Sequence, residues 1–240
     1  MEKRNLTKAE EERLERHIKT QTAAITLEAH RQEVLSLKRR CFPSSVFFDM
    51  TFENDQTPDA KGHREAKQYA ENFEKLSEQG IGMVFYGPCG TGKTYLAAAI
   101  ANALCESRKE DKSRYDCYMT NLQREIYTAG DNVLAQVRMR RLLTADLLIL
   151  DDFGTEYKTE FAISRTFEVI NGRYERRKPT IITTNLTKKQ LGDPGKDYES
   201  IFSRIFENSL FYAIEGDDKR KVRAKNLNRE ISKIIKGPSE

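Results

Sequence analysis

The order of apolar and polar positions divides the chain into two unlike parts. Through residues 1–40 apolar side chains are sparse and only loosely helical in spacing. Leu14 and Ile18 lie four apart, and Leu27, Val34 and Leu35 follow roughly on one side. No proline interrupts this stretch. It predicts one or two helices whose apolar face is too small to fold alone, and which dock either on the protein's own body or on a partner. Pro43 and the polar run Asn54–Gly62 then punctuate a short apolar piece, Val46–Phe52. A helix is predicted from about His63 to Gln79, stopped by Gly80.

From Ile81 the pattern changes to short apolar runs separated by helical stretches. Ile81–Tyr86, Cys117–Thr120, Leu147–Leu150, the β-branched Thr180–Thr184 and Leu210–Ile214 read as strands. Tyr95–Cys105, rich in Ala and Leu, reads as a helix, as do Thr159–Arg177 (stopped by Pro179), Tyr198–Glu207 and Lys219–Ile235. The alternation predicts an α/β fold, a parallel sheet covered by helices on both faces. The expected division is a helical N-terminal extension over 1–40 and a single larger domain over 41–240. No internal repeat is visible.

Composition narrows the class. The chain has 240 residues, room for one sizeable α/β domain and an appendage. A hydrophobic share of 38% against a charged share of 32% fits a soluble core wrapped in solvated helices. No apolar run approaches the roughly 20 residues needed to cross a bilayer, and the start lacks the apolar centre of a secretory signal. The expectation is a cytoplasmic protein without a membrane partner. Cys41, Cys89, Cys105 and Cys117 contain no CxxC pair, and His17, His30 and His63 form no ligand spacing with them. Free thiols are expected and a structural zinc site is not. The net charge of +4 is uneven: residues 1–40 carry ten basic and seven acidic side chains, and residues 217–240 carry eight and four. The ends therefore sum to +7 and the middle to −3. Basic ends suit nucleic-acid phosphates, and equally suit ordinary solvated helix faces.

The strongest chemical signal is Gly87-Pro88-Cys89-Gly90-Thr91-Gly92-Lys93-Thr94, which fits G-x-x-x-x-G-K-[ST] without mismatch between a strand and a helix. Glycines let the backbone curl so that successive N–H groups face one anion, and the following helix aims its positive end at the same place. Lys93 is expected to neutralise the β- and γ-phosphates of ATP, and the Thr94 hydroxyl to ligate Mg²⁺. Tyr95, next in line, is a further candidate nucleotide contact. Cys89 occupies a place where the loop uses backbone groups. Downstream, Leu147–Leu150 ends in two carboxylates, Asp151 and Asp152. Asp151 is expected to hold Mg²⁺ directly or through water, and Asp152 to orient or deprotonate an attacking water. Thr180–Thr184 ends at Asn185, which suits either a hydrogen bond to the γ-phosphate or a helix cap.

These pieces, in this order, resemble AAA+ P-loop ATPases. Thr51–Asp55 (TFEND), the phosphate loop, Leu147–Gly154 (LLILDDFG), Ile181–Thr187 (IITTNLT) and Ile201–Glu207 (IFSRIFE) resemble DnaC/DnaI-type helicase loaders, with insertion-sequence transposition helper ATPases as near relatives. The resemblance covers about residues 41–226, with no such signature in residues 1–40. It implies that Asn185 reads the γ-phosphate and that Arg204 is an arginine finger acting on a neighbouring subunit. It further implies that Arg220 is a second sensor, and that residues 1–40 bind a DnaB-type replicative helicase. It also implies a homo-oligomer when ATP is bound, contact with single-stranded DNA, and slow, assembly-dependent hydrolysis. Within residues 120–147, Gly130 and Asp131 interrupt an arginine-rich stretch. There Arg138, Arg140 and Arg141 suit DNA phosphates and Tyr127 suits base stacking, or all form a solvated face.

Three other readings compete: a transposition helper ATPase, a small-molecule kinase, and a module that uses ATP only as a switch. Against the kinase stands the combination of Asp151, Asp152, Asn185 and Arg204, with no recognisable lid or acceptor pocket.

Overall fold

Apolar or β-branched runs too short for helices become strands. The computed structural model describes residues 8–58, 60–107, 113–127, 133–154 and 159–236. Its strands are β1 (Gly82–Tyr86), β2 (Cys117–Thr120), β3 (Leu147–Leu150), β4 (Thr180–Thr184) and β5 (Ser209–Ala213). They form one sheet in the order β2-β3-β4-β1-β5, with every adjacent pair parallel.

Period-two alternation assigns each strand residue to one of two cores. Met83, Phe85, Leu147, Ile149 and Ile181 face one side with Leu96, Ile100 and Leu104. Val84, Leu148, Leu150 and Ile182 face the other with Val169, Ile170, Ile201 and Phe202. The first side is covered by the end of α1 (Lys8–Cys41), by α2 (His63–Glu71) and α3 (Phe73–Glu78), and by α4 (Lys93–Glu106). The second carries α5 (Leu122–Tyr127), α6 (Val133–Thr144), α7 (Glu160–Glu175), α8 (Lys188–Gly192) and α9 (Lys196–Glu207). The chain's last helix is α10 (Lys219–Lys236). Ala97, Ala98, Ala99 and Ala101 of α4 are all fully buried, so small side chains let this helix lie close against its neighbours on every side.

The single helix predicted over 63–79 is two. It breaks at Asn72, whose backbone N–H and side-chain amide both donate to the Gln68 carbonyl. Gly80 then turns the chain with a φ of +71°. Residues 8–41 form one helix rather than two, and its two ends differ. From Arg16 to Glu33 every residue is exposed. Leu37, Cys41 and the following Phe42 are buried in the first core. Lys38 pairs with Glu106 at 2.8 Å, Arg114 pairs with Glu33 at 2.9 Å, and Arg141 donates to the Arg40 carbonyl. The helix ends at Cys41, and its last turns pack on the body.

Among the described residues Arg173 on α7 is the largest fully buried side chain. No carboxylate among them hydrogen-bonds it; its guanidinium donates to the carbonyls of Leu142, Ala145 and Pro179 and to the Thr180 hydroxyl. It thereby ties the C-terminus of α6 to the start of β4. Four acceptors lose their donor in Arg173→Met, each at a cost of about 1–3 kcal/mol. Urea unfolding of that variant is expected to show a loss of about 3 kcal/mol or more, and a loss under about 1 kcal/mol would contradict this anchoring.

Candidate functional site

Because all five strands are parallel, their C-terminal ends lie along one edge, and the loops leaving β1, β3 and β4 converge there. Between β1 and β3 lies β4, so the phosphate loop and the acidic pair are bridged by β4 and α4.

The phosphate loop leaves β1 at Gly87 and enters α4 at Lys93. Gly87, Gly90 and Gly92 have φ of +133°, +78° and +107°. At Gly90 any Cβ would collide with the Asp218 carboxylate, so glycine is required there for space as well as conformation. The loop is closed on itself: Lys93 Nζ donates to the carbonyls of Gly87 at 2.9 Å and Pro88 at 2.6 Å, and Thr91 Oγ1 donates to Pro88. Lys93 is buried, and burial pushes its ammonium pKa down, against the charges of Cys89, Asp152 and Asp151, which favour protonation. Cys89 is exposed on the loop.

Asp151 extends the inward alternation of Leu147 and Ile149, so its carboxylate turns to the face that α4 covers. Its Oδ1 accepts from Thr94 Oγ1 at 2.8 Å and from Thr183 Oγ1 at 2.6 Å. Burial raises the Asp151 pKa above the ordinary carboxylate value, against the lowering effect of the Thr183 and Thr94 hydrogen bonds. Asn121, just after β2, donates to the Asp151 carbonyl. Asp152 follows at φ +54°, a left-handed conformation uncommon for non-glycine residues, though Asp is among those that tolerate it.

The remaining sequence candidates are placed variously. Asn185 stands exposed just past the end of β4. Arg220, at the start of α10, is exposed, and its charge reaches both Lys93, whose protonation it opposes, and Asp151, whose ionisation it favours. Lys219 ties the same helix end to the site: its N–H donates to the Gly90 carbonyl and its Nζ to Thr57 Oγ1. Thr57 in turn bonds Asp55, the partner of buried His63. Tyr95 does not aim its hydroxyl at the cradle, donating instead to the Thr51 carbonyl at 2.8 Å. Arg204 lies against α7, with Nε on Asn171 Oδ1 at 2.6 Å and its guanidinium over the Phe167 and Tyr174 rings. None of these partners belongs to the phosphate cradle. Arg141 is used structurally, bonded to Arg40 and stacked 4.1 Å from the Tyr118 centroid, whereas Arg140 is exposed. Gly130 and Asp131 lie outside the described residues, as does the Tyr127 side chain.

Among the described residues no three His, Cys, Asp or Glu side chains gather into a metal cage. Magnesium needs no such cage, since it is commonly held by one or two protein oxygens plus substrate phosphates and water. The Thr94 hydroxyl and the Asp151 carboxylate are hard oxygen donors in mutual contact beside the phosphate loop, and that set fits Mg²⁺.

Sequence reasoning missed Thr183 and Asn121, which only the strand order brings to Asp151. It also missed that Cys41, Cys105 and Cys117 come together in the first core, where the other two thiols pull the Cys105 pKa down.

Fold and site together define a P-loop nucleotide-binding protein of the AAA+ type. The chain belongs to the IstB-like ATP binding protein family, which it matches over residues 9–226. That match begins well before residue 41, so α1 is part of the family pattern although its residues carried no recognisable signature. Over 153 residues the chain is 27% identical to the replicative helicase loader DnaI of Bacillus subtilis, covering 59% of this chain and 48% of that protein. Over 149 residues it is 30% identical to an ATP-binding protein assigned to insertion sequence IS232 of Bacillus thuringiensis, covering 61% and 58%. It thus spans about half the length of these relatives. The crystal structure of the DnaC helicase loader superposes with a TM-score of 0.60 at 23% identity, covering 72% of this chain and 100% of that one. Among the described residues no helix is long and apolar enough to cross a membrane.

Two outcomes follow from this geometry. Because burial raises the folded-state pKa of Asp151, its contribution to stability is present at low pH and lost as pH rises through that value. At neutral pH Asp151→Asn is therefore expected to raise the melting temperature of the nucleotide-free protein while removing the extra stabilisation by ATP with Mg²⁺. A melting temperature below wild type contradicts this. A bulky maleimide on Cys89 is expected to block ATP binding, and ATP to protect the thiol; unchanged affinity after complete modification sinks the idea.

Proposed function

We propose that this chain is an ATP- and Mg²⁺-dependent AAA+ ATPase that remodels a ring-shaped replicative helicase and engages single-stranded DNA. The observation that carries the reading is the contact of Thr94, from the phosphate-loop helix, with Asp151, from the strand that ends in the acidic pair. It joins the phosphate-binding and acidic halves of an ATPase site at one point. The similarity to helicase loaders supports the choice of target.

In this reading Lys93 leaves the Gly87 and Pro88 carbonyls for the β- and γ-phosphates, and the loop's backbone N–H groups hold the remaining oxygens. Bound magnesium would neutralise phosphate charge, with Thr94 and Asp151 as the residues that hold it. Asp152 polarises the attacking water, Asn185 senses the γ-phosphate, and Arg220 senses nucleotide from α10. Arg204 serves the site of a neighbouring copy, which accords with its place away from its own phosphate loop. The exposed part of α1 within residues 1–40 is the partner-docking arm, and residues 41–240 are the ATPase body. A second reading, a transposition helper ATPase, draws specific support from the insertion-sequence relative and uses the same site.

Arg204→Ala is expected to bind ATP as wild type does but to lose hydrolysis that rises with protein concentration, by about 10³-fold for a true finger. Wild-type turnover in that variant refutes the finger assignment. For the partner, pull-down of a replicative helicase should compare the full chain with one lacking residues 1–29, a cut that spares Glu33, Leu37 and Lys38, which pin α1 to the body. Capture that needs the arm supports the loader; no capture by the full chain, with ATPase activity intact, favours the transposition reading.

A further inference from the structure

Within β4 the run Thr180–Thr184 alternates like any buried strand, and Thr183 is fully buried. Its neighbours are β1, where it stands opposite Phe85, and β3. There the paired Leu150 and Ile182 put Asp151 next to Thr183 one step on. Thr183 and Asp151 continue the side of the sheet on which Ile181 and Ile149 lie, the side covered by α4. A β-branched apolar residue would satisfy packing at this place. The hydroxyl that is present instead is used twice on the acidic pair. It donates to Asp151 Oδ1 at 2.6 Å and accepts from the Asp152 N–H at 3.0 Å. Its own carbonyl accepts from the Phe153 N–H at 2.8 Å. Thr184 completes the clamp by donating to the Phe153 carbonyl. The turn that carries both carboxylates is thus held to β4 at three successive residues.

We propose that Thr183 is a positioning residue of the ATPase site, its hydroxyl fixing the Asp151 carboxylate and the left-handed backbone of Asp152 together. The inference rests on the ATPase reading above. Thr94 and Thr183 share Asp151 Oδ1, but they differ in kind. Thr94 rides on the phosphate-loop helix and is assigned to the nucleotide's metal. Thr183 is anchored in the sheet, and its hydroxyl both donates to and accepts from the acidic turn. It is therefore the donor that keeps Asp151 oriented when nucleotide binds. Partners of this kind affect metal affinity and activity by about 10- to 100-fold.

The test uses the full chain as wild type, Thr183→Val, Thr183→Ser and Thr183→Ala, with melting temperatures, binding of a fluorescent ATP analogue with and without Mg²⁺, and kcat and KM for ATP. Ser and Ala lose the same methyl and differ only in the hydroxyl, so their comparison isolates it even if Val fails to fold. The expected result has three parts. Metal-free nucleotide binding stays within about twofold in all variants. The Mg²⁺ concentration for half-maximal binding rises about tenfold or more in Val and Ala. Their kcat falls by at least that factor with little change in KM, while Ser stays near wild type. Ala matching Ser in Mg²⁺ dependence and kcat overturns the role of Thr183 while leaving the ATPase reading intact. A wild type that binds no nucleotide overturns that reading and the proposal together.

Discussion

Asp151 accepts two hydroxyl protons on one oxygen, from Thr94 on the helix after the phosphate loop and from Thr183 on β4. Three elements far apart in the chain meet at that atom. The strand order requires it, because β4 lies between β1 and β3 and any link from phosphate loop to acidic pair must pass over or through it. Burying the carboxylate is unfavourable to its charged form, and two hydrogen bonds offset this only in part. The protein therefore holds a destabilised acid where hard oxygen donors are needed, a common arrangement at functional sites.

Lys93 is held by the backbone of the loop it closes. Its ammonium donates to the Gly87 and Pro88 carbonyls, which compensate the burial of its charge. Nucleotide must displace those bonds, and it offers charged acceptors in place of neutral ones. The same loop is held from outside by α10, whose Lys219 N–H bonds Gly90.

Contiguous features were legible in the sequence. Residues 87–94 could be read because the whole motif is local, and β2, β3 and β4 appear with the expected bounds because each is a short apolar or β-branched run. Features made by distant residues were not legible. Thr183 looks like one more β-branched strand residue until strand order sets it beside Asp151. Arg173 looks like a surface arginine near a helix end, yet it is buried against four acceptors. Cys41, Cys105 and Cys117 have no motif spacing because they come from α1, α4 and β2 and meet only in the folded core. The break at Asn72 was hidden because the sequence on either side is helical and the interruption rests on local capping by Gln68.

The central claim is that the phosphate loop and Asp151 form one metal-dependent ATP site. Calorimetric titration of ATP into the nucleotide-free wild-type protein, with Mg²⁺ and then with a chelator, tests it most directly. The expected result is saturable binding with one ATP per chain that weakens markedly when Mg²⁺ is removed. Absence of binding, or binding of equal strength with and without Mg²⁺, would contradict it.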